Sequence, residues 1–199
     1  MPVRHRALVT ALLCALIATA AHAADTLDLA QRLVRYNGGV SLLLRNFEPS
    51  IAASTAAPDI FHKSFDQAMA DNSPVIAAAD DQLAHIYATL YSNAQLSAEV
   101  GFYESPEGQA IITRNRTPNG AIIWPDPNSM SLSSAESTAL MKFNQAIEQR
   151  AAIAAQNSKA TDQILATESD ALIKIRVAAF ADYCKIRDCK PEGIKYPTL

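Results

Sequence analysis

Two histidines, His62 and His85, stand among carboxylates at helical spacing. Asp59, His62 and Asp66 are three and four residues apart, and Asp81 precedes His85 by four. On helices each group shares a face. Brought together, the five side chains would offer oxygen and imidazole ligands to a divalent metal. The same spacing also describes ordinary solvated pairs, each worth a few tenths of a kcal/mol. No His-Glu-x-x-His pattern or cysteine cluster accompanies them. The sequence therefore names no metal ligand and no cofactor. Nor does it hold a nucleophile elbow or a glycine-rich phosphate loop, and its acidic residues are too dispersed to nominate a glycosidase pair. No catalytic residue is named. A non-enzymatic role leads, and a metal-dependent enzyme is a minor reading.

The cysteines say more about compartment than about catalysis. Cys184 and Cys189 lie in DYCKIRDCKPEG, at the end of the last helical pattern. An oxidising compartment would pair them and staple the C-terminus. Their spacing is wider than the Cys-x-x-Cys of redox centres, and a zinc site would need two further ligands. A Cys184–Cys189 disulfide is the leading reading, ahead of free or intermolecular thiols.

Export is written at the other end. MPVRHRALVTALLCALIATAAHAAD has Arg4 and Arg6, then an apolar run, then Ala21-His22-Ala23. This is the three-part secretory pattern with cleavage after Ala23. The run is shorter than the roughly 20 apolar residues of a membrane span. Cys14 follows Leu13 in mid-run, unlike a lipoprotein cysteine. Residues 1–23 read as a signal peptide and residues 24–199 as a single helical domain, periplasmic or secreted. Of 17 basic side chains, 15 then remain against 20 acidic ones, a formal charge of -5. That balance excludes nucleic acid as the natural partner. No later segment is apolar enough to span a membrane. Only 6 Gly and 10 Pro in 199 residues exclude a collagen-like chain.

The elements that position these residues are helical. The sequence predicts an all-α fold, a compact helical bundle with short helix-turn-helix corners and a long C-terminal antiparallel helical hairpin. Thr26–Tyr36 is a first helix, with Leu27, Ala30, Leu33 and Val34 on its core face. Val40–Phe47 is a short apolar run, helix rather than strand because it has no strand partner. Pro49–Pro58 reads as a loop. Helices follow over Pro58–Ala70 and Pro74–Tyr91, with Ser73 as the N-cap of the latter. Ser92–Gln95 is a capping box opening a helix with Leu96, Val100 and Tyr103. Ser105 caps the next, whose first turn holds Pro106 and Glu107 and whose apolar side carries Ile111 and Ile112. A Pro-rich stretch over Ala121–Met130 contains Trp124. Ser133–Glu136 is a second capping box. It starts a helix to about Ser158, and after a turn over Asn157–Thr161 another spans Asp162–Tyr183.

The stretch LAHIYATLYSNAQLSAEVGFYESPEGQAIITRNR, Leu83 to Arg116, resembles the core of a bacterial family known as domain of unknown function 2059. The residues that carry the resemblance are Phe102, Tyr103, Ser105, Pro106 and Gly108, with Ala110 following. The chain departs from the family at Gln95, usually acidic, and at Gly101, usually bulky and apolar. The resemblance implies an exported helical protein and no established activity. Physically, Ser105 and Pro106 set a corner, and Gly108 leaves room for close approach. Gly101 implies either close backbone approach or a weakened helix. Phe102, Tyr103 and Trp124 are also the candidate rim of an apolar ligand site. The leading expectation is an envelope-associated structural or interaction protein, its partner an envelope protein or a second copy of the chain. The alternative is a carrier of a small apolar ligand or lipid.

Overall fold

A computed structural model describes residues 23–117 and 122–187. The architecture is all-α: among the described residues there is no strand, only an isolated antiparallel bridge between Arg116 and Ile122. Apart from Ala23, the expected leader lies outside the described residues, as do Cys189 and the tail from Lys190. The helices are α1 (residues 23–36), α2 (Gly39–Ala53), α3 (Pro58–Asp71), α4 (Ser73–Leu90), α5 (Asn93–Glu104), α6 (Pro106–Asn115), α7 (Ser134–Gln156) and α8 (Ser158–Arg187). No helix among the described residues is long and apolar enough to cross a membrane.

The chain divides into two contact units. The first holds residues 23–37 and 81–164, and the second residues 38–80 and 165–187, so α4 and α8 contribute to both. In the first unit α5 packs on α6 and α7, and α6 packs on α7. Its core includes Leu33, Leu96, Val100, Ile111, Leu140 and Phe143, all buried. Arg150 of α7 meets Glu99 of α5, and Phe143 meets Phe102, so these two helices run antiparallel. In the second unit α2 packs on α3 around Val40, Leu44, Phe61 and Phe65. There Phe61 also meets Phe180 of α8, with ring centroids 4.9 Å apart.

Several junctions are tighter than their composition suggests. Val40–Phe47 is helical, but α2 runs on to Ala53 through Pro49, where a loop was expected. Proline removes one intrahelical bond, here to the Arg45 carbonyl. Pro49 is exposed, so that carbonyl can turn to water, while buried Ala52 holds the following turn against the core. Asn72, rather than Ser73, makes the α3–α4 junction. Its side-chain amide donates to the Ala68 carbonyl at 2.8 Å, and its own carbonyl accepts from Val75 at 2.9 Å. The turn expected over Asn157–Thr161 shrinks to Asn157 between α7 and α8. The Asn157 side chain accepts from the Ala160 amide at 3.1 Å, capping α8, and Thr161 donates back to the Ala154 carbonyl at 2.9 Å. Along α1 it is Thr26, not Leu27, that is buried with Ala30, Leu33 and Val34.

Candidate functional site: a groove beside the α5–α6 corner

The corner is built from the capping chemistry of two short helices. Ser92 opens α5 with a reciprocal capping box: its amide donates to Gln95 Oε1 at 2.8 Å, and its hydroxyl oxygen accepts from the Gln95 amide. One residue, Ser105, both ends α5 and begins α6, in an extended conformation at φ -72 and ψ 149. Its hydroxyl donates to the Phe102 carbonyl at 2.8 Å and accepts from the Gly108 amide at 3.0 Å. It thus serves an orphan acceptor of the first helix and an orphan donor of the second. Pro106 follows at a position where a missing N–H costs nothing. Gly108 faces the Phe102 carbonyl so closely that a Cβ would run into it. The close approach expected at Gly108 is present. At Gly101 it is not, because a Cβ there would have no heavy atom within 4 Å.

The three aromatic candidates go different ways. Phe102 stacks on Phe143 of α7, with centroids 4.2 Å apart and planes at 16°. Trp124, partly exposed, leans on Phe143 at 5.3 Å and on Phe102 at 6.0 Å. Tyr103 turns toward α1: it stacks on Tyr36 at 5.1 Å, and its hydroxyl donates to Asn37 Oδ1 at 2.7 Å. Burial, with the Glu99 carboxylate adding to it, pushes the Tyr103 phenol up to about 12. Tyr103 is therefore a core residue with a bonded polar tip and does not line the groove.

On the Phe102 side, α5 and α7 leave an open groove of about 600 Å³. Ala98, Gly101, Phe102 and Ser105 form its α5 wall, at the i, i+3, i+4, i+7 spacing of one helical face. Ala135, Thr138, Ala139 and Lys142 repeat that spacing on α7, and Phe143 lies beside them. Small side chains face each other along both walls, so the helix backbones pack while the surface between them stays concave. Glu107 of α6 and Ser134 complete the lining. The second capping box, at Ser133 and Glu136, anchors the start of α7, and Arg114 of α6 pairs with Glu136 to hold the two helices together.

A buried ion pair beneath the corner was not anticipated. Arg150 Nε donates to Glu99 Oε1 at 2.8 Å, and Glu99 is 1% exposed. The guanidinium carbon sits 5.7 Å from the Tyr87 ring centroid. Burial raises the Glu99 carboxyl above its ordinary range, and Arg150 opposes that rise. Its signal in the sequence was a charged residue on the buried face of Leu96, Val100 and Tyr103.

Four of the five histidine and carboxylate candidates resolve into separate pairs, and Asp59 has no ion pair among the described residues. His62 pairs with Glu48, Asp66 with Arg45 at 2.8 Å, and His85 with Asp81 at 3.6 Å. Among the described residues no group of three or more His, Cys, Asp or Glu is placed to hold a metal ion. Cys184 sits half-buried near the end of α8; its expected partner, Cys189, lies outside the described residues.

No protein-family model, curated protein or solved structure matches this chain.

Proposed function

We propose that this is an exported, non-enzymatic binding protein of the bacterial envelope, whose working surface is the groove beside the α5–α6 corner. The observation that carries this reading is the groove itself. At about 600 Å³ it lies within the roughly 300–1,000 Å³ range of small-molecule sites. Its floor is aromatic and its walls are small side chains. The corner that shapes it uses the residues on which the resemblance to domain of unknown function 2059 rests. The signal-like N-terminus and a Cys184–Cys189 bond belong to the same reading. Among the partners considered from sequence, a concavity lined by small and apolar side chains supports the small apolar ligand. Protein purified from its native compartment should carry apolar small molecules, identifiable by mass spectrometry of an organic extract. Clean protein with no such material, together with an unaltered phenotype in a Phe102→Ser variant that still folds, would return the chain to a purely structural role.

A further inference from the structure

The groove carries two charged side chains, and their positions are not equivalent. Glu107 lies in the first turn of α6, where the helix's positive end matches its charge. Lys142 lies within α7, two turns beyond its start, so no helix end balances it. It is exposed, lines the groove, and has no ion pair among the described residues. Immediately beside it in sequence is Phe143, which with Phe102 forms the aromatic floor. The α7 wall therefore presents an unmatched cation next to apolar surface.

We propose that the groove takes an anionic amphiphile, its alkyl chain along Phe102, Phe143 and the small side chains, its acidic head at Lys142. This rests on the groove reading above and adds the class of ligand. The flexible lysine stem can follow the chain while its ammonium reaches the head group. Gly101 supplies the room: with no atom near a Cβ position, the α5 wall is left open where an alkyl chain would lie.

Trp124, the only tryptophan in the chain, does not line the groove but leans on Phe143 and Phe102, which do, so calorimetry reads binding and its fluorescence is a secondary signal. The test titrates the full exported protein with dodecanoate, dodecanol and dodecylamine below their micellar concentrations. Dodecanoate should bind about fivefold more tightly than dodecanol, the size of an exposed ion pair. Lys142→Met should erase that preference while leaving dodecanol unchanged. Gly101→Phe, which fills open space, should abolish both, with thermal unfolding showing an intact fold. Gly101→Ala should keep both. Equal binding of dodecanoate and dodecanol, both blocked by Gly101→Phe, would overturn the anionic head group and leave the apolar groove standing. A preference for dodecylamine would overturn it equally. No binding of any of the three to wild type by calorimetry would overturn the groove reading as well.

Discussion

Gly108 is a position where one hydrogen atom decides the local geometry. Its Cα faces the Phe102 carbonyl, and the Ser105 hydroxyl lies 3.1 Å from where a Cβ would stand. Gly108→Val should cost about 1–3 kcal/mol by overpacking, read as a lower urea midpoint with unchanged slope. Arg150 poses the opposite problem, a charge whose removal strands another. Arg150→Ala leaves Glu99 buried without its counterion and should cost about 3–5 kcal/mol. The double variant Glu99→Leu with Arg150→Met should be markedly less destabilised, since no buried charge is left alone. Tyr103 predicts a pH dependence. Its folded phenol holds its proton up to about 12, against an ordinary 10.0. The proton is bound more tightly in the folded state, so this contribution is complete below about pH 10 and is lost as pH rises through about 12. The amount at stake is on the order of 2–3 kcal/mol. A hydrogen bond to Glu104 also raises the Tyr36 phenol and burial raises that of Tyr91, so the informative quantity is wild type minus Tyr103→Phe. Urea midpoints from pH 8 to 11.5 should fall more steeply in the wild type.

At the scale of elements, the start of α2 shows how a distant residue completes a helix. Gly38 and Gly39 have φ of 79 and 52, left-handed values that side-chain-bearing residues seldom adopt. They turn the chain between α1 and α2. No side chain of its own caps α2; instead Asp80 of α4 accepts from the Val40 amide at 2.7 Å. Gly39 lies against the same carboxylate, which leaves no room for a Cβ. Asp80→Ala should therefore cost about 1 kcal/mol, the ordinary worth of an N-cap. Hydrogen exchange should show the loss first in the opening turn of α2. The two glycines were legible as a helix stop. Their carboxylate partner was not, because it lies 40 residues away in sequence and nothing local marks Asp80 as different from Asp81. Pro49 was misread for a related reason: its local penalty is real, but the buried face of α2 outweighs it.

For the molecule as a whole, export and oxidation are predicted together. Intact-mass analysis of the exported protein should show loss of residues 1–23 and of two hydrogens, with the latter restored by reduction. Retention of the leader, or two alkylatable thiols in native protein, would contradict it. A Cys184–Cys189 bond would close a short loop, so Cys184→Ser should lower stability by only about 2 kcal/mol.

The helices and most of their boundaries were determined by sequence alone, because capping and amphipathic spacing act within a few residues. Ser92–Gln95, Ser105–Pro106 and Ser133–Glu136 each satisfy backbone donors that a helix start leaves open, and each sits where its spacing placed it. The shape of the Ser105 corner, including the need for Gly108, was legible for the same reason. Tertiary structure decided which side chains meet. It turned the Tyr103 hydroxyl toward Asn37 and set its ring between Tyr36 and Phe143, out of the groove, and it matched Glu99 with Arg150 across 51 residues. It sent His62 to Glu48 and Asp66 to Arg45 instead of gathering them around a metal. It also opened the groove: two stripes of small residues are unremarkable on separate helices, and become concave only when α5 and α7 pack antiparallel and bring them face to face.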